Sequence, residues 1–465
     1  MGDVALKHSQ KSIFLFWFPL AATWLMMSLE GPFLAAVIAR LADPKFNLAA
    51  HGVAFAFALL VEAPVIMIMS ASTALADNAT NFNRLRKFTY SLNTAVTGVM
   101  LLILVPPIYA FLMQDVIALP KEVASLTYVA LWILLPWPGA IGYRRFYQGL
   151  LIREGRTQLV AYGTVLRLVT MATTAVALYV VLAPPGVYVG AAALAVGVSV
   201  EALASRWMAH NSVRKLRAML QPDADTSPTL SHGQIVRFYY PLALTSLIGL
   251  AAQPMLTFFM GRSPAPVESL AVFPVVAALS FVFRSMGLSY QEVAIALMGQ
   301  RYEHVRELGR FAVGLGIMAS LGLAVVAFTP LVLVWYETVS GLSAELTHYA
   351  ILPTMMLVPI PLLAVILSYQ RGILVVGRVT RPITWATIIE VATIAVGFPV
   401  LSWSFGMVGV SAAMVTFLVG RLAGNLFLVR PCMHLVRQHG RSWSWGSKPI
   451  EGEVRVVDSG PPTVS

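Results

Sequence analysis

The chain has 465 residues, of which 58% are hydrophobic types and only 11% are charged, with a formal net charge of +11. Soluble domains carry about 25% charged residues, so this composition, with a mean hydropathy of +0.76, argues against a soluble enzyme and equally against a disordered chain. The single cysteine, Cys432, excludes an intramolecular disulfide and a Cys-rich metal or iron–sulfur site.

Apolar stretches long enough to cross about 30 Å of hydrocarbon as helices recur along the whole chain. In order, the expected spans are 13–39, 48–76, 88–113, 124–148, 158–183 and 187–209. They continue at 234–260, 267–298, 308–336, 346–372, 383–403 and 406–430. The first contains Glu30 and lacks a small-residue cleavage site, so it reads as a retained span rather than a signal peptide. Runs such as Leu101-Leu102-Ile103-Leu104-Val105 do not alternate, which excludes the strands of a membrane β-barrel. The expected fold is all-α and polytopic, with 12 transmembrane helices. Residues 1–209 form the expected N-terminal six-helix bundle, 210–233 a cytoplasmic linker, 234–430 a C-terminal six-helix bundle and 431–465 a polar cytoplasmic tail.

Basic residues gather at alternate connections. They include Lys7 and Lys11, then Arg84, Arg86 and Lys87, then Arg144, Arg145, Arg153 and Arg156, then Arg214, Lys215 and Arg217. The series goes on with Arg301, Arg306 and Arg310, then Arg371, Arg378 and Arg381, then Arg430, Arg437 and Arg441. The connection around Pro184-Pro185-Gly186 has none. The positive-inside rule therefore places both termini in the cytoplasm of a cell inner (plasma) membrane. The positive charge reads as a topology signal, so membrane lipids are expected partners and nucleic acid is not.

The two sets of six spans repeat one another. Phe18-Pro19-Leu20-Ala21 and Thr23 in the first set match Tyr240-Pro241-Leu242-Ala243 and Thr245 in the second, all at one constant offset. Gly149-Leu150-Leu151 and Thr157 match Gly372-Ile373-Leu374 and Thr380, at an offset longer by a single position. Six spans return the chain to the same side, so the halves are parallel repeats, whose usual purpose is alternating access. One duplicated chain can form a cleft by itself, so a monomer is sufficient and the oligomeric state stays open.

The Pro-Leu-x-x-Thr opening of spans one and seven resembles the multidrug/oligosaccharidyl-lipid/polysaccharide exporter superfamily. The segment Tyr147-Gln148-Gly149-Leu150-Leu151-Ile152-Arg153-Glu154-Gly155-Arg156-Thr157 does so too. Within it, Leu48-Ala49-Ala50-His51-Gly52-Val53-Ala54-Phe55 is similar to the start of span two in the progressive-ankylosis group. The resemblance implies a MATE-like fold of two pseudo-symmetric bundles around a central cleft, open alternately to each side. The progressive-ankylosis likeness implies export of anions such as pyrophosphate, nucleotides and citrate.

Charges inside spans are costly and mark candidate sites. Glu30 lies in the outer part of span one, and Glu62 lies mid-way in span two beside Ala63-Pro64. A carboxylate beside a proline kink could bind a coupling H+ or Na+, or could pair structurally. In the second half Glu30 matches Ala252, no acid marks the region matching Glu62, and Arg284 stands in span eight with Glu292 eight residues on. These two share roughly one face but lie too far apart to pair. Arg284 would attract an anion and hold it bidentately, or pair with Glu62 or Glu30 across the lobes. Arg144, Arg145 and Arg167 are candidates for a cytoplasmic vestibule. Glu201 with Arg206, and Glu390 with Arg421, are expected structural pairs. Gln253, Tyr290, Gln291, Tyr369 and Gln370 could supply neutral hydrogen bonds to a substrate.

There is no Walker A loop, no His-Glu-x-x-His motif and no credible nucleophile–base pair, so neither enzymatic activity nor a cofactor or metal is expected. The leading expectation is a secondary transporter exporting small organic or phosphate-containing anions. A flippase for lipid-linked saccharides or lipids, a cation-coupled multidrug exporter and a non-transporting scaffold are the competing readings.

Overall fold

Every regular element among the described residues is helical. The computed structural model describes residues 9–445 apart from Leu29, Ala39, Ala118, Ala183, 219–228, Gln300 and Gly341. It leaves undescribed the side chains of Ser28, Pro32, Pro44, Lys45, Gln253, Pro254, Thr257, Val267 and residues 439–445. The candidate Gln253 and most of the expected tail therefore lie outside the described residues.

The first lobe contains α1 (Gln10–Ser28), α2 (Glu30–Ile38), α3 (Pro44–Glu62), α4 (Ile68–Leu75) and α5 (Ala79–Ile103). It continues with α6 (Pro106–Ala110), α7 (Lys121–Ile133), α8 (Trp137–Arg153), α9 (Thr157–Val181) and α10 (Gly186–Met208). A short α11 (His210–Ala218) follows. The second lobe contains α12 (His232–Met260), α13 (Pro266–Leu297), α14 (Val305–Phe328), α15 (Leu331–Leu333) and α16 (Ala344–Met356). It ends with α17 (Ile360–Val376), α18 (Arg381–Pro399) and α19 (Gly409–Trp445). Nine described helical stretches are long and apolar enough to span a membrane, or eleven if two pairs bent by 74° and 44° are each one span. The remaining expected span, 13–39, corresponds to α1 and α2, on either side of the undescribed Leu29.

The breaks follow from proline, which removes a helix hydrogen bond and clashes with the preceding turn. The chain bends before Pro106, between α7 and α8 at Pro136, and between α16 and α17 at Pro359. The last two breaks are related by the same offset as Gly149 and Gly372, and so are the π-helical turns Phe111–Val116 and Val334–Val339. Asp43 and Ala265, each just before a proline that opens a helix, both take a left-handed φ, 48° and 51°. The repeat seen in the sequence thus recurs in backbone geometry.

The repeated motifs do the same work in both lobes. Thr23 donates to the Pro19 carbonyl at 3.1 Å, and Thr245 donates to the Pro241 carbonyl at 2.7 Å. A Cβ on Gly149 would run into Ser72 Oγ and lie 2.6 Å from the Met69 carbonyl. A Cβ on Gly372 would lie 2.6 Å from Ala294 Cβ. Only glycine lets α8 lie this close to α4, and α17 this close to α13.

One buried core runs through the first lobe and across to α13, α14 and α17. A second fills the part of the second lobe around Leu256, Phe273, Tyr336 and Phe398. Large apolar side chains such as Val180, Leu203 and Phe405 face outward, as a lipid-facing surface requires. We call the side where α1 begins the near face, and the opposite side the far face. Polar contacts tie the lobes together toward the near face. Gln10 donates to the Glu307 carbonyl at 3.1 Å, Arg378 pairs with Asp77 at 3.5 Å, and Tyr239 donates to the Pro64 carbonyl at 2.6 Å. Trp17 donates to Ser289 at 2.8 Å.

Candidate functional site

The buried charges form two groups of different character. In the first lobe, helices α8, α9 and α10 bring Arg144, Arg167 and Glu201 together, and α2 adds Glu30. Arg167 donates to Glu30 and Arg144 to Glu201, while Arg167 Nε lies 3.5 Å from Glu201. Gln148 and Thr164 also donate to Glu201, at 3.0 and 3.3 Å. Glu62, at the end of α3, accepts from the Trp137 indole. All these side chains are buried, so each charge needs the partners it has.

The second lobe holds a cavity of about 420 Å³. Above its floor the charged lining comes from Arg284 on α13, Arg371 on α17, and Glu390 and Arg421 on α18 and α19. Arg421 pairs with Glu390 at 2.7 Å, and Arg371 donates to Thr387 at 3.2 Å. The Nε of Arg284, Arg371 and Arg421 is buried without a hydrogen-bond partner. The Phe417 ring lies between two of these cations, 5.7 Å from Arg284 and 5.2 Å from Arg421. Three arginines thus converge on one carboxylate.

At the floor of this cavity stand Arg145, Gln291 and Glu292. Gln291 donates to Ser70 Oγ at 2.9 Å, and Ser70 in turn donates to Glu292 Oε1, which links α13 to α4 across the lobes. Glu292 Oε2 and Arg145 Nε have no partner. The same two residues line a second cavity of about 20 Å³ on the first-lobe side, roughly enough for one water.

The repeat relates these groups. Glu62 and Arg284 are separated by the same offset as Pro44 and Pro266, the prolines that open their helices. Arg167 and Glu390 are separated by the offset that relates Thr157 to Thr380, at the starts of their helices. At both equivalent pairs the sign of the charge is reversed between lobes.

Several sequence expectations are corrected. Glu30 and Glu62 do not pair with Arg284; they are engaged by Arg167 and Trp137 within their own lobe. Arg144 and Arg167 do not form an open vestibule, because both are 2% exposed and held by carboxylates. Glu201 pairs with these two rather than with Arg206, whose guanidinium lies over the Tyr147 ring at 5.3 Å. Five helical residues turn through about 140°, so Glu201 and Arg206 point apart. Tyr290 and Tyr369 are spent on helix packing, donating to the Leu308 and Val305 carbonyls at 2.7 and 2.6 Å. Gln370 donates to the Asn425 carbonyl at 3.1 Å. The cavity keeps Arg145, Arg284, Gln291 and Glu292 from the expected set. It adds Arg371, which the sequence presents as one of the basic marks at a span end. The repeat gives a signal for it. Arg371 directly precedes Gly372 as Gln148 precedes Gly149, and Gln148 faces the first lobe's charge cluster.

Neither a protein-family model nor a curated protein matches the sequence. Solved structures do match it over nearly their whole length. The eukaryotic MATE transporter AtDTX14 superposes with a TM-score of 0.74 at 15% identity, over 94% of this chain and 98% of that one. A multidrug resistance MATE family transporter of the MOP superfamily, in its outward-facing conformation, gives 0.73 at 16% identity with the same coverage. A MOP superfamily transporter from Pyrococcus furiosus, described as having a binding pocket of reverse polarity, also gives 0.73 at 16%. The chain therefore has the fold of the MATE transporters of the MOP superfamily.

Proposed function

We propose that the protein is a secondary transporter that moves organic anions by alternating access between its two lobes. The carrying observation is the second-lobe cavity, where Arg284, Arg371 and Arg421 line one space around the carboxylate of Glu390. Removing a guanidinium from water costs several kcal/mol unless an anion or a hydrogen bond replaces the lost hydration. A bound carboxylate or phosphate offsets that cost, and the planar guanidinium forks suit it bidentately. A cationic drug would meet a surplus of like charge there. The pocket of reverse polarity described for the Pyrococcus furiosus transporter of this fold supports the view that pocket sign varies within it.

Alternating access needs an interface that can part. On the near face Arg378 with Asp77 and Gln10 with the Glu307 carbonyl are polar contacts that suit a latch, and opening there also has to part the apolar core shared by the lobes. In our reading the near face, with its arginine-rich connections, is cytoplasmic and the protein works in the inner membrane as an exporter. Glu292, with one free oxygen, is the candidate group for coupling to H+ or Na+.

The test is flux of organic anions from proteoliposomes under an imposed pH or sodium gradient. Saturable flux that falls at least tenfold in Arg284→Gln and Arg371→Gln is the expected result. Flux of organic cations but not anions, or anion flux indifferent to both substitutions, would overturn the reading.

A further inference from the structure

The cavity is not evenly polar, and the direction of its gradient carries information. Along α13 the lining passes from Phe273 through Ala277 and Ser280 to Arg284, and then through Leu288 to Gln291 and Glu292. Phe273 and Arg284 are separated by roughly 16 Å of helix rise. On α19, which also runs inward from the far face, Met414 precedes Arg421 by about 10 Å. On α18, which runs the other way, Glu390 comes first and Ile394 follows. Three helices thus place Arg284, Glu390 and Arg421 at one level, with Phe273, Ile394 and Met414 on the far-face side of it. The helix ends are tied in register, since the Val410 backbone N–H donates to Ser269 Oγ at 3.2 Å. Below the arginines the space is sealed by the polar chain of Gln291, Ser70 and Glu292.

We infer that the cavity takes an amphipathic anion, with one phosphate- or carboxylate-type head on Arg284, Arg371 and Arg421 and an apolar body lying toward Phe273, Ile394 and Met414. This deepens the organic-anion reading and rests on it. A compact hydrophilic polyanion such as pyrophosphate or citrate satisfies the arginines but leaves the apolar walls wet. A longer body on the near side, where Leu288, Met67 and Met69 also line the space, would run into the bonds that join α13 to α4. The volume, about 420 Å³, is that of a site for a drug-sized molecule.

The experiment is a calorimetric titration of the purified full-length protein in detergent with inorganic phosphate, ethyl, butyl and hexyl phosphate, and with pyrophosphate and citrate. Affinity is expected to rise by up to about fourfold per methylene along the ester series, the value of burying one CH₂. Pyrophosphate and citrate are expected to bind more weakly than hexyl phosphate. Arg371→Gln should weaken every ester alike. Ile394→Thr should weaken hexyl phosphate about fivefold and leave ethyl phosphate unchanged; Met414→Gln reads the same contact should the first variant not fold. Equal affinity along the ester series, or tightest binding of pyrophosphate or citrate, overturns the amphipathic inference while leaving organic-anion transport standing. Absence of binding by every anion in the wild-type protein removes the organic-anion reading itself.

Discussion

The two lobes share a backbone plan and differ in how they spend their buried charges. In the first lobe Glu30, Glu62 and Glu201 are met by Arg144, Arg167 and the Trp137 indole, so that every one of these carboxylates has a partner. In the second lobe, among the described residues, Glu390 alone answers Arg284, Arg371 and Arg421, and the imbalance opens onto a cavity. A buried charge removed from a paired group leaves its partner uncompensated, whereas a charge removed from a surplus relieves repulsion. The comparison therefore separates a lobe whose buried charges pair with one another from a lobe whose arginines outnumber the carboxylate they surround.

The strongest way to break this contrast is Glu201→Ala. It strands both Arg144 and Arg167, and should destabilise the protein by about 3–5 kcal/mol, read as a fall in the melting temperature of the detergent-purified protein. Arg371→Ala should cost clearly less, because it takes one charge from the surplus and leaves Glu390 with Arg421. Equal losses would remove the distinction between the lobes. Gly149→Ala comes next. Its Cβ would meet the Met69 carbonyl at 2.6 Å, a backbone atom that cannot rotate away, and overpacking of this kind costs about 1–3 kcal/mol. Thermal melting with no change would show that α4 and α8 can part without penalty.

Arg284→Gln sharpens the other side. Anion affinity should fall about tenfold, equivalent to about 1.4 kcal/mol and below the usual range for a charge-assisted bond, while the melting temperature holds or rises. A large drop in melting temperature without altered affinity would assign Arg284 to structure. The smallest effect is expected for Asp77→Asn at the near-face contact between the lobes. Its pair with Arg378, at 3.5 Å and partly exposed, should contribute under about 1 kcal/mol. A loss of several kcal/mol on melting would mean that this contact holds the lobes together rather than latching them.

Much of the helix plan is legible in the sequence, and the site is legible only in part. The expected spans follow the observed helices closely because hydrocarbon thickness fixes their length and proline fixes their breaks. Arg284 and Glu292 stand out because charge inside a span is costly. Arg371 does not, since it falls beside Arg378 and Arg381 at a span end, where basic residues ordinarily mark topology. Its entry into the cavity depends on how α17 is set after the break at Pro359. Glu201 is misread for a related reason: its partners come from α8 and α9, far away in sequence, while the nearby Arg206 points elsewhere.

The amino-acid pattern by itself determines that the chain is helical, membrane-embedded and duplicated, because these follow from local hydropathy, from proline positions and from a constant offset between like motifs. Which buried charges meet is a matter of helix rotation and interhelical distance, and those are set by close packing such as that at Gly149 and Gly372. Tertiary structure alone therefore decides that Arg167 closes on Glu30 and Glu201, that Arg284 is left without either Glu30 or Glu62, and that the surplus of arginine gathers around one cavity in the second lobe.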